Sequence, residues 1–133
     1  MKLLFLCRAN VTRSQMAEAF FNRYSKKHTS ESAGLNLDSD NIDERVIRTM
    51  KEIGFDLSDK KPKKVTDEMI DNADRIIIVS PDLEQYYTWN KKPIIWNIYD
   101  IVKGENEQID YRQFVDIRER VKTKIEELVK ELG

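Results

Sequence analysis

Apolar positions recur along this chain in two alternating rhythms. A short unbroken run, Lys2–Leu6, gives way to a segment from Ser14 to about Lys27 in which Met16, Ala17, Phe20, Phe21 and Tyr24 return at helical spacing. The pattern predicts a buried strand and then an amphipathic helix. Thr29–Ala33, closed by Gly34, reads as a second strand. Asp43–Ile53 reads as a second helix with Val46, Ile47, Met50 and Ile53 on one face and Gly54 as its stop. The basic stretch Asp59–Lys64 reads as an exposed loop, after which Thr66 or Asp67 caps a short helix carrying Met69 and Ile70.

Arg75–Ser80 is the clearest strand, β-branched and apolar on both faces, as expected of a parallel strand covered on both sides. Ser80-Pro81-Asp82 looks like a cap followed by proline at the first helical position. Pro93–Asn97 is a fourth strand, Ile98–Gln108 a loop, and Asp110–Leu132 a long helix with Phe114, Ile117, Val121, Ile125 and Leu128 inward. Strands joined by helix-length connections imply an α/β domain, here spanning 1–133, with a parallel sheet and right-handed crossovers. Ligands of such sheets collect at the carboxyl ends of the strands. Four segments lie there: Cys7–Ser14, Gly34–Asp43, Ser80-Pro81-Asp82 and Tyr99-Asp100.

Composition narrows the classes. The 133 residues carry 23 Lys+Arg against 24 Asp+Glu, a balance that suits neither a nucleic-acid binder nor a membrane-surface protein. The N-terminal apolar run is too short for a signal peptide or a membrane span. A soluble, cytoplasmic protein acting as a monomer is expected. Cys7 is the only cysteine, which excludes an internal disulfide and a Cys-rich metal site and suits a reducing compartment. No metal and no organic cofactor is expected.

Cys7 ends the first strand, and a helix opens shortly behind it. A thiol at a helix N-terminus meets unpaired N–H groups and the positive end of the dipole, which favour the thiolate. The same N–H groups seat a tetrahedral oxyanion. Five residues separate Cys7 from Arg13, so the loop can curl around one anion while Arg13 returns to grip two oxygens. Arg8, Ala9, Asn10, Val11, Thr12, Arg13 and Ser14 are therefore the expected substrate-binding residues. Ser14 is placed to donate its hydroxyl to the sulfur. Asn10 is the loop residue best able to take a left-handed backbone or to brace neighbouring amides. A general acid must come from another strand's end, and Asp100 after the Pro93–Asn97 strand is the candidate. Asp82 competes, but its position just after Ser80-Pro81 points to a first-turn helix role. His28, Tyr86, Tyr87, Trp89, Trp96 and the Lys60–Lys64 run read as solvated or packing residues.

Cys-x5-Arg-Ser after an N-terminal strand, followed by Gln15-Met16-Ala17-Glu18-Ala19, resembles the low-molecular-weight protein-tyrosine phosphatases and, equally, the related thioredoxin-coupled arsenate reductases. Ser32-Ala33-Gly34, Lys51-Glu52-Ile53-Gly54 and Trp96 through Asp100 extend the likeness along the chain. The resemblance implies a three-layer α/β/α fold with a four-stranded parallel sheet in order 2-1-3-4 and a phosphate-binding loop after strand 1. It implies catalysis by Cys7, Arg13 and Asp100 through a phosphocysteine intermediate, on a phosphorylated protein or small phosphomonoester, with inhibition by phosphate-like oxyanions. Ala9 stands where the family has glycine, and Thr12 where it has a second cysteine. Thr12 removes a thiol able to trap oxidised Cys7, so Cys7 is expected to be open to over-oxidation. Asp100 lacks the family's following proline, and Leu35-Asn36-Leu37 lacks its aromatic.

Three functions are weighed. Hydrolysis of a phosphomonoester, with protein phosphotyrosine foremost, leads. Arsenate reduction is second: Gln15 leans that way, yet without further cysteines it needs an external thiol. A non-catalytic phosphate-binding regulatory module is third.

Overall fold

The computed structural model describes residues 1–101 and 106–133. The tip of the expected Ile98–Gln108 loop, residues 102–105, lies outside the described residues. Strands β1 (Lys2–Cys7), β2 (Thr29–Gly34), β3 (Arg75–Ile78) and β4 (Ile94–Ile95) form one parallel sheet in the order β2-β1-β3-β4. Helices α1 (Arg13–Tyr24), α2 (Glu44–Lys51), α3 (Asp67–Asn72) and α4 (Glu107–Leu132) connect and follow the strands, and a 3-10 turn covers Pro81–Tyr86. Successive strand residues point to opposite faces, yet Leu3, Leu4, Phe5 and Leu6 are all fully buried. Both faces of the central strand are therefore covered, giving the three layers and strand order that the resemblance implied.

The boundaries move for local reasons. Helix α1 stops at Tyr24 because Ser25 turns extended, short of the expected Lys27. Asp43 is the cap of α2 rather than its first residue, its carboxylate accepting from Arg45 N at 2.8 Å. Gly54, in the left-handed region at φ 87, ends the turn after α2, where Phe55 N reaches back to Met50 O. Only Ile94–Ile95 of the expected fourth strand is regular, though Trp96 N and Ile98 N still donate to Ile78 O and Val79 O. The segment after Ser80-Pro81 is a 3-10 turn, not an α-helix.

The basic run is an exposed loop, as its composition indicated, and its far end also pairs with the sheet. Gly34 N donates to Lys63 O at 2.7 Å, Val65 N donates to Gly34 O at 2.9 Å, and Lys64 bridges Gly34 in parallel. Its backbone thus extends the exit of β2, while its lysine side chains remain largely exposed. The core joins the sheet to α1 and α4: Phe5, Phe20, Phe21, Met16 and Phe114 are all at most 1% exposed. Phe114, Ile117, Val121, Ile125 and Leu128 are buried as the helical spacing predicted. Among the described residues, no helix is long and apolar enough to cross a membrane.

Candidate active site

Strand β1 delivers Cys7 to the carboxyl edge of the sheet, where the chain turns through residues 8–12 into α1. The exit of β2 clamps this loop. Leu35 N donates to Cys7 O at 2.9 Å, and Asn36 N donates to Arg8 O at 2.8 Å. Gly34, opposite Cys7 in the register, makes this approach possible. A Cβ there would lie 2.9 Å from the Ala9 carbonyl carbon and 3.0 Å from Arg8 O. Ala9 itself is unstrained where the family has glycine: Asn10, at φ 59, is the only non-glycine with positive φ among the described residues.

The sulfur receives Asn10 N–H at 3.3 Å and lies 2.8 Å from Ser14 Oγ. The other partner of Ser14 is Asn10. Its Oδ1 accepts from Lys63 N at 2.8 Å, and a backbone N–H can only donate, so the other end of the amide is the nitrogen. Asn10 Nδ2 donates to Ser14 Oγ at 2.7 Å and to Ser32 Oγ at 3.0 Å. Ser32 passes its own proton to Glu18 Oε1 at 2.7 Å. Ser14, an acceptor from Asn10, has the sulfur as its remaining partner, and toward a thiolate, which has no proton to give, it is the donor. Glu18, 7% exposed, is faced by Lys60 Nζ at 3.7 Å and Lys63 Nζ at 3.8 Å.

In front of the loop opens a cleft of about 310 Å³, lined by Cys7, Arg8, Ala9, Val11, Thr12 and Arg13, with Asp38–Ser39, Asn41, Asp43, Asp100, Ile101 and Phe114 around them. Thr12 is the N-cap of α1, but its side chain makes no capping bond and the first turn holds no acid. The helix end therefore offers its N–H groups to an anion. Arg13 is 4% exposed; its Nη1 donates to Ile98 O at 2.8 Å, and its Nη2 lies 3.7 Å from Asp100 Oδ2. The Asp100 carboxylate is 46% exposed, so this pairing is loose. At the rim, Arg8 and Asp38 form a half-exposed pair at 2.7 Å. The arrangement can hold a tetrahedral oxyanion against a thiolate, with a carboxyl group at its mouth.

The model of the low molecular weight phosphotyrosine protein phosphatase family matches residues 2–133. The chain belongs to that family. Membership makes it a protein-tyrosine-phosphatase-like hydrolase by class. The arsenate reductase of Halalkalibacterium halodurans is 29% identical over 107 residues, 77% of this chain and 76% of that one. A low molecular weight protein-tyrosine-phosphatase of Acinetobacter johnsonii is 31% identical over 90 residues, 65% of this chain and 63% of that protein. Among solved structures, the arsenate reductase of Archaeoglobus fulgidus is 35% identical, covers 92% of this chain and 98% of its own, and superposes with a TM-score of 0.71.

In this family member, the cleft brings together Cys7, Arg13 and Asp100 as the sequence led one to expect. Arg8, Ala9, Val11 and Thr12 also line it. Asn10 and Ser14 do not: both are fully buried, their side chains spent behind the loop. Asp82 is bound by the Ser80 hydroxyl and stands outside the cleft, as its first-turn position indicated. Glu18, Ser32, Asp38 and Lys63 were missed. Only Glu18 left a signal, an acid inside the apolar face of α1 and four residues, about one turn, beyond Ser14.

Proposed function

We propose that this chain is a cysteine-dependent phosphatase acting on a phosphomonoester, with phosphotyrosine in a protein as its substrate class. The observation that carries the reading is the meeting of Cys7, Arg13 and Asp100 on one cleft. In the first step the Cys7 thiolate attacks phosphorus, forming the S–P bond as the ester P–O bond breaks. Asp100, protonated, gives its proton to the leaving oxygen, while Arg13 and the loop N–H groups carry the equatorial oxygens. In the second, Asp100 takes a proton from water as the water oxygen attacks phosphorus. Cys7 leaves as thiolate, assisted by the Ser14 hydroxyl, and inorganic phosphate is released. The reading includes a monomer working in the cytoplasm and competitive inhibition by phosphate-like oxyanions.

Turnover of p-nitrophenyl phosphate and of a phosphotyrosine peptide under reducing conditions tests it. Wild type should hydrolyse both and Cys7→Ser neither. Asp100→Asn should lose about 10²–10⁴-fold on the peptide, whose leaving group needs a proton. A folded wild type without hydrolysis would sink the reading.

A second reading is favoured by the relatives named arsenate reductases. With Cys7 as the sole thiol, two external thiols must supply the electrons. Cys7 sulfur displaces water from arsenate; the first thiol attacks that sulfur and arsenic leaves with the electron pair as arsenite. The second thiol reduces the resulting mixed disulfide, giving a small-molecule disulfide and free Cys7. Arsenate-dependent oxidation of a supplied monothiol, measured beside the phosphatase assay, decides between the two.

A further inference from the structure

Gln15 follows the arginine and serine of the loop, is 2% exposed, and takes no part in the chemistry above. Its Nε2 lies 3.2 Å from Asn10 O, 2.9 Å from Asn10 Oδ1 and 3.1 Å from Lys61 O. Three oxygens around one atom fix it as the nitrogen, and its two hydrogens are shared among them. One end of this clasp is the residue the loop strains most. Asn10 holds φ 59, a left-handed conformation that asparagine accepts more readily than other side chains and that its contacts here hold in place. The other end is the Lys61–Lys63 backbone, itself fixed by Gly34 N on Lys63 O and by Lys63 N on Asn10 Oδ1.

We propose that Gln15 is a positioning residue, which locks Asn10 against the Lys61–Lys63 backbone and thereby sets the shape of the oxyanion loop and the aim of the Ser14 hydroxyl at Cys7. The physical chain is short. Gln15 holds the Asn10 carbonyl, which fixes the peptide that follows it in the loop. It also holds Oδ1, so that the two hydrogens of Asn10 Nδ2 stay on Ser14 and Ser32. Without that grip only Lys63 N holds Oδ1 and nothing holds the Asn10 carbonyl, so the aim of Nδ2 at Ser14 loosens and the loop N–H groups lose their common focus. The proposal rests on the oxyanion-cleft reading above.

Gln15→Leu keeps the bulk and removes the donor. Affinity for inorganic phosphate, read by calorimetry and as inhibition of p-nitrophenyl phosphate turnover, is expected to fall about tenfold or more. In the same variant the Asn10 side-chain amide loses protection from hydrogen exchange by NMR. Gln15→Glu has the same shape but presents oxygen to oxygens at neutral pH; its deficit relative to wild type should ease as acidification gives it a proton to donate. Leu128→Ala, a cavity in the last turns of α4, supplies a chain of lowered stability with an intact loop and should bind phosphate as wild type does. Unchanged phosphate affinity and Asn10 exchange in Gln15→Leu overturn the proposal, as does an equal loss in Leu128→Ala. A wild type that binds no phosphate removes the hydrolase reading instead, and Asn10 exchange then decides the role of Gln15 alone.

Discussion

The Ser14 hydroxyl lies 2.8 Å from the Cys7 sulfur, and the carboxamide of Asn10 donates to that same hydroxyl oxygen at 2.7 Å. Ser14→Ala removes the hydroxyl and leaves the backbone N–H of Asn10 alone on the sulfur. A charge-assisted bond of this kind is worth about 1.5–3 kcal/mol, so kcat for p-nitrophenyl phosphate should fall by about 10- to 100-fold. The folded state is expected to persist, and circular dichroism alongside the kinetics checks both statements.

Gly34→Ala should damage the site through packing alone. The added carbon meets the Ala9 carbonyl carbon and Leu37 Cδ2 at 2.9 Å, and the first of these is backbone that cannot rotate away. Overpacking of this sort costs about 1–3 kcal/mol. Urea unfolding should register the loss, and phosphate inhibition should weaken with it because the displaced atoms belong to the oxyanion loop.

Asp43 borders the cleft and caps α2, and the side-chain hydrogen bonds from Arg45 hold its carboxyl below the ordinary carboxylate range. A depressed folded value stabilises the fold at pH above the unfolded value, about 3.9, and the contribution disappears as pH falls through the folded one. Asp43→Asn keeps a capping oxygen but loses the charge. The stability gap between wild type and variant should be under about 1 kcal/mol at pH 7, the pair being partly exposed, and should close on acidification below the carboxylate range. Urea titrations at pH 7 and near pH 3 measure it.

Lys91 provides the converse, a charged residue whose work is structural. Its ammonium donates to Ile70 O at 2.7 Å, Asp71 O at 3.2 Å and Ala73 O at 2.7 Å, closing the carboxyl end of α3. Lys91→Met should lower the stability by about 1–3 kcal/mol while leaving kcat and KM for p-nitrophenyl phosphate unchanged. A kinetic change without a fall in Tm would contradict this assignment.

What could be read in advance was whatever side chains announce. The burial of Lys2–Cys7 and the helical stripe of α1 follow from apolar spacing, and the roles of Cys7, Arg13 and Asn10 follow from residue type at the end of a strand. At Lys60–Lys64 the exposure was legible and the backbone pairing was not, because exposed lysines look alike whether their peptide groups are solvated or paired with Gly34. Asn10 and Ser14 support the loop as their residue types indicated, but they do not line the cleft with the other loop residues, and a list of loop positions cannot tell the two groups apart. Asp38 lies in the Gly34–Asp43 segment expected at the sheet edge, but its pairing with Arg8 depends on how the β2 exit folds back, which local pattern does not encode.

The rear wall of the oxyanion loop is made of peptide groups: Lys61 O meets Gln15 and Lys63 N meets Asn10, while Lys63 O ties the same stretch to Gly34. Peptide groups are common to nearly all residues, so this wall imposes almost no spelling on the stretch that forms it. Relatives are free to vary their side chains there and still build the same support, and comparison of letters would pass over it. One exchange is forbidden. Proline at position 63 has no N–H for Asn10 Oδ1, so Lys63→Pro should break a wall that tolerates almost any other residue.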